Sequence, residues 1–174
     1  MKTVRNYDGL IVAAGGIYSV LPGSLLDNSQ GQLFSGSDVH LQSLTNSQGL
    51  FQAGSLKIES AGDLRNDHGH IEMSDASSQS ELNLRLLENR EGSLLSLGDL
   101  SVTVSEDLDL EGRLFSNKGL SLTAKTLSLS SWLQGKRVTI NASDSLRNHS
   151  GSVVISSEKT QIISPYIENQ GQLS

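Results

Sequence analysis

The chain has 174 residues, a formal net charge of −6, no cysteine, 17 glycines, and only 4% aromatic and 18% charged residues. The acidic balance, with no Lys/Arg run longer than Lys136-Arg137, excludes the clustered basic stripe of a nucleic-acid footprint. The missing cysteine excludes a disulfide framework, a thiolate metal site and a cysteine nucleophile, and no stretch approaches the roughly 20 apolar residues of a membrane-spanning helix.

At the N-terminus, Lys2 and Arg5 precede an apolar stretch over 9–21 that has the outline of a secretory signal. Asp8 at its border, Gly15-Gly16 inside it and the lack of an A-x-A-like site after Leu21 argue against that reading. Asn6-Tyr7-Asp8-Gly9 instead opens a recurring pattern. Asn28-Ser29-Gln30-Gly31 returns verbatim as Asn46-Ser47-Gln48-Gly49, and the same N-x-x-G form recurs at Asn66 to Gly69, Asn89 to Gly92 and Asn148 to Gly151. Three further copies keep the glycine behind a changed lead residue: Asp109 before Gly112, Trp132 before Gly135, and Glu168 before Gly171. The glycines step by 22, 18, 20, 23, 20, 23, 16 and 20 residues, a period near 20 that signals a solenoid.

Between these beats the apolar residues alternate. The second residue after each glycine is apolar at Ile11, Leu33, Phe51, Ile71, Leu94, Leu114, Val153 and Leu173. A second alternating pair follows at Val39/Leu41, Leu56/Ile58, Leu100/Val102 and Leu120/Leu122, and a leucine stands five residues before the glycine at Leu26, Leu44, Leu64, Leu87 and Leu146. Period two marks half-buried strands, and helical spacing is not sustained for two turns anywhere. Leucine-rich repeats share the period but need a helix on their outer face. The expected fold is therefore all-β: a parallel β-helix of about 20-residue coils, eight to nine of them, over 1–174 as a single repeat segment. Eight rises at a strand spacing of roughly 4.8 Å give a rod about 38 Å long.

Each coil is expected to hold two or three short strands separated by corners. Glycine reaches positive φ there at no steric cost, and asparagine tolerates the left-handed region. Superposed asparagines can also bond as a ladder along the axis. The residues singled out as structural corners are Asn6, Gly9, Asn28, Gly31, Asn46, Gly49, Asn66, Gly69, Asn89, Gly92, Asp109, Gly112, Gly135, Asn148, Gly151 and Gly171. Two irregularities stand out. Asp75 to Ser80 is a polar insertion expected to project as a loop, and the pattern weakens around Trp132.

No catalytic, cofactor-binding or metal-ligating residues are expected. His68 and His70 flank a corner glycine and have no third ligand in view. Glu106, Asp107, Asp109 and Glu111 form an acidic run without the glycine-rich nonapeptide of calcium-binding β-rolls. A glycan-cleaving β-helix needs carboxylates converging on one groove, whereas Asp38, Glu59, Asp63, Glu72 and Glu81 occupy different points of their coils.

The string Leu26-Asp27-Asn28-Ser29-Gln30-Gly31-Gln32-Leu33, then Leu41, then Leu44 to Gly49, resembles the repeats of filamentous haemagglutinin and of contact-dependent growth-inhibition exoproteins. The resemblance runs from about Asn6 to the end of the chain. It implies a right-handed β-helical shaft, export by an outer-membrane two-partner secretion transporter, and a secreted or cell-surface place in adhesion or toxin delivery. It also brings a host or bacterial cell-surface receptor or glycan into view as a partner. Such chains are typically very long, so this one is expected to be an internal piece. Its open strand edges are expected to favour end-to-end self-association.

Overall fold

The computed structural model describes residues 2–174, with Ser60 described by its backbone alone. The described residues form 18 strands and no helix. All strand pairs are parallel, and they stack about 20 residues apart into a β-solenoid of about eight turns.

Three ladders run along the rod. In the first, Val4 pairs with Leu26, Leu26 with Leu44, Leu44 with Leu64 and Leu64 with Leu87; Leu108 then pairs with Leu127, and Leu146 with Ile167. The second passes without a break from Ile11 through Leu33, Phe51, Ile71, Leu94, Leu114, Leu133 and Val154 to Leu173. The third joins Ser19, Leu41, Ile58, Leu82, Val102 and Leu122, and continues as Ile140 with Ile162. Alternation puts every second side chain inside, so like stacks on like. Leu33, Phe51, Ile71, Leu94, Leu114, Leu133 and Val154 are all fully buried. Complete burial of such a side chain contributes about 1.5–3 kcal/mol, which leaves the core as the main source of stability.

Two features differ from the sequence pattern. Val153 faces partly outward and Val154 takes the inward place, because the preceding turn is closed by Ser152 rather than by Gly151. The coil around Trp132 keeps its place in the second ladder although it lacks the usual corner, and a register shift falls between Gly135 and Arg137. Trp132 pairs with Arg113 and Val153 on the outer face of the second ladder, and Gly135 pairs with Ser156 well past the corner. Neither Trp132 nor Gly135 makes a corner there. Leu110 and Leu129, in register with each other, hold the inward corner places of these two coils. The Leu129 carbonyl accepts the His149 amide, which sets Asn148 beside it. The glycine steps of 23 from Gly112 to Gly135 and of 16 from Gly135 to Gly151 thus come from matching non-equivalent residues.

The insertion after Met73 is real but compact. Glu81 stands eight positions after Met73, where its partner Lys57 stands four positions after Ala53. Only 74–78 lies outside strands; Gln79 and Ser80 already belong to one, and Ser80 is buried with its hydroxyl accepting the Leu56 amide at 3.1 Å. The loop is a tight turn with Ser74, Ala76 and Ser77 exposed. Asp75 closes it by accepting the Ser77 hydroxyl at 2.6 Å, the Ser78 hydroxyl at 2.6 Å and the Ser77 amide at 2.8 Å.

These bonds favour the charged form and lower the Asp75 carboxyl from 3.8 to about 2, the Ser77 hydroxyl first among them. A depressed folded value means the carboxylate stabilises the turn above its unfolded value and loses that contribution as pH falls from 3.8 towards 2. The melting temperature of the native chain should therefore drop more steeply across this window than that of Asp75→Asn. Parallel acid titrations of the two would contradict it.

Candidate functional site

The recurring corner is the most ordered polar feature of the rod. At Gly9, Gly31, Gly49, Gly69 and Gly92 the glycine amide donates to the carbonyl of the asparagine three residues earlier, at 2.9–3.3 Å. The residue before each glycine (Asp8, Gln30, Gln48, His68 and Glu91) takes the positive φ, between 50° and 58°. This is the third position of a turn that favours glycine or asparagine. Left-handed backbone is thus carried by the residue ahead of the glycine. The glycine serves close approach instead: a Cβ on Gly49 would overlap the Asn28 carbonyl oxygen of the preceding coil and lie 2.7 Å from Asn46 Oδ1. Gly112 and Gly151 differ in taking the positive φ themselves, at 81° and 85°, and of the two Gly151 has open space around it whereas Gly112 is packed against the Asn89 carbonyl. Relieving one non-glycine turn residue, as in Gln48→Gly, should stabilise the chain by about 0.5–1 kcal/mol, read as a raised denaturation midpoint. An unchanged or lowered midpoint would show that the position carries no strain.

The asparagine side chains form a ladder. Nδ2 of Asn6 donates to Oδ1 of Asn28 at 2.6 Å, Asn28 to Asn46 at 2.7 Å, Asn46 to Asn66 at 2.8 Å, and Asn66 to Asn89 at 2.8 Å. Each interior amide also donates to its own corner glycine carbonyl and to a carbonyl of the next coil, as Asn46 does to Gly49 at 3.1 Å and to His70 at 3.1 Å. All five asparagines are buried. Burial without such partners costs about 1–3 kcal/mol per group, so the ladder holds only while each member is present.

The ladder stops at Asn89, whose Nδ2 turns to the carbonyls of Gly92 and Glu111, both at 3.3 Å. Buried Leu110 and Leu129 follow, stacked apolar on apolar. It resumes at Asn148, which donates to Asn169 Oδ1 at 2.7 Å while its own Oδ1 accepts the Ser152 hydroxyl. Asp109, expected as a lead residue, faces outward beside Leu110, and Asn169 rather than Glu168 heads the last corner. Gly112 and Gly171 pack onto the preceding corner much as Gly49 does. Ser152, the polar cap of the second ladder segment, carried no signal in a chain so rich in serine.

The remaining polar clusters do not converge. His70 Nδ1 lies 2.6 Å from the Ser93 hydroxyl on the outer face of the second ladder, while His68 sits in a corner 3.2 Å from Glu91. Of the acidic run, Glu111 pairs with Arg90 at 3.2 Å. No group of three or more His, Asp or Glu placed to hold a metal occurs among the described residues. Asp63 pairs with Arg85 in the first ladder, Glu72 lies near His70 in the second, and Glu81 stands opposite Lys57 in the third.

A family model described as haemagglutinin repeat matches residues 6–67 and 79–158. The interruption falls on the stretch that contains the compact insertion at 74–78. No curated protein and no solved structure matches the chain. With most of its length matched, and with the corner pattern repeated coil upon coil, the chain belongs to the haemagglutinin-repeat family.

Proposed function

We propose that the chain is a non-catalytic length of shaft from a secreted or surface-displayed bacterial exoprotein, holding binding or toxin modules away from the cell. The observation that carries this is the second ladder, in which nine strand segments stack in register with fully buried side chains from Leu33 to Val154. Parallel strands bonded on both edges resist bending and stretching along the rod axis. The family supports display at the cell surface and export through a two-partner secretion transporter.

A spacer tolerates loss of a whole coil but not of half a coil. In the exporting bacterium, an in-frame deletion of 47–66 removes one register unit between Asn46 and Asn66. That variant should still be secreted and displayed. A deletion of 57–66 breaks the register and should abolish display. Equal display of both, or loss of display in the first, would contradict the shaft role.

The same construction bears on association. The first coil exposes Val4, Leu10, Val12 and Tyr18, and the last exposes Ile163, Tyr166 and Ile167. Free edges of parallel ladders recruit further strands. The 174-residue chain on its own should therefore self-associate end to end with rising concentration in sedimentation experiments. A strict monomer throughout would count against it.

A further inference from the structure

Three departures from the repeat meet in one place. First, the strands 108–116 and 119–148 run straight through the corner at Leu110 and Leu129, so two coils lack the turn that others project. The gap between the Glu91 turn and the His149–Ser152 turn is a depression of about 780 Å³, lined in part by Glu91, Glu111, Arg113, Ser130 and Trp132. It adjoins a second depression of about 580 Å³ on the outer face of the second ladder, with Ser93, Arg113 and Trp132 shared between the two. Both sizes suit a small ligand.

Second, Trp132 is the chain's single tryptophan, and it is 45% exposed where the two depressions meet. Its Nε1 donates to Gln134 Oε1 at 3.2 Å, which orients the indole. No other aromatic ring stacks on it among the described residues. Third, Arg113 pairs with Trp132 across the ladder and, like Arg5 in the first coil, has no carboxylate partner among the described residues, whereas Arg65, Arg85, Arg90, Arg137 and Arg147 each have one. The neighbouring carboxylates are already held, Glu111 by Arg90 at 3.2 Å and Glu91 near His68 at 3.2 Å.

A stiff rod needs none of these. An exposed indole leaves apolar area in water, and a missing corner gives up hydrogen bonds. Together they offer a flat apolar platform, a five-donor guanidinium and two acceptor carboxylates around one space. A pyranose ring presents the complement: a face of C–H groups to lie on the indole, and a rim of hydroxyls that both donate and accept. Glu91 and Glu111 on the rim disfavour an acidic sugar. We propose that the depression at Trp132 is a carbohydrate-binding site for a neutral pyranose unit, stacked on Trp132 with its hydroxyls bonded by Arg113. This assignment does not rest on the spacer role, since a shaft can carry a site on its flank.

The lone tryptophan makes the test specific. The chain is applied to an array of neutral and sialylated oligosaccharides, and the strongest neutral one is titrated while indole fluorescence is followed. Saturable binding with a shift in emission is expected. Trp132→Ala and Arg113→Ala should each weaken binding at least tenfold on the array, Trp132→Phe should keep part of it, and Phe34→Ala on the same outer face should change nothing. Unchanged melting temperatures would show that these exposed substitutions leave the fold intact. The proposal falls if no oligosaccharide binds at millimolar concentration, if only sialylated ones bind, or if Trp132→Ala binds as well as the native chain. It falls equally if Trp132→Ala alters only sedimentation, which would make the depression a contact between copies.

Discussion

Asn46→Ala should destabilise the chain by about 3–4 kcal/mol, from one unsatisfied acceptor, lost bonds and a cavity. Asn46 receives from Asn28 and gives to Asn66, so its loss acts on both neighbours. Asn28 Nδ2 keeps the Leu50 carbonyl at 3.0 Å. Asn66 Oδ1 has no such reserve: the Asn46 amide is its donor, and Asn66 is fully buried. The coil also loses the tie to Gly49 that shapes the corner. Chemical denaturation of both chains checks this. A loss below about 1 kcal/mol, the scale of a surface change, would mean that the ladder is not a structural element.

Gly49→Ala should cost about 3 kcal/mol or more, since overpacking beyond what a core can absorb reaches that scale. The added Cβ overlaps a backbone carbonyl of the preceding coil, which cannot swing aside as a side chain can. That carbonyl, on Asn28, already closes its own turn with the Gly31 amide at 3.0 Å. The strain should pass to the adjoining coils. Gly151→Ala offers a comparison, because there the penalty comes from positive φ alone with open space around the atom. Denaturation midpoints should rank the native chain first, Gly151→Ala second and Gly49→Ala last; the reverse order of the two variants would show that packing is not what the corner glycine serves.

Much of the fold is legible in the sequence because a solenoid writes its register openly. The alternation at Val39/Leu41 or Leu100/Val102 allows one inward face, and the verbatim return of Asn28 to Gly31 gives the coil length. The places where the pattern misleads have physical causes. At Leu110 and Leu129 the marker asparagine is gone, and leucine in an alternating strand looks like any other core residue. Gly135 then offers itself as a corner although it pairs with Ser156 inside a ladder. At Gly151 the turn has moved on by one residue, which exchanges Val153 for Val154 in the core. The role of the glycines was open to misreading as well. A glycine in a turn suggests positive φ, and only stacking shows that the space above it is occupied by the neighbouring coil. The depression at Trp132 is a product of the same missing corners, so it too emerges only once the coils are superposed.

All of this depends on coils being interchangeable units whose register is copied from one to the next. Small-angle scattering on the native chain and on the deletion of 47–66 measures that directly. The shortened rod should keep the same cross-section and lose one strand spacing, roughly 4.8 Å, in length. A widened cross-section or an unfolded profile would contradict the solenoid account.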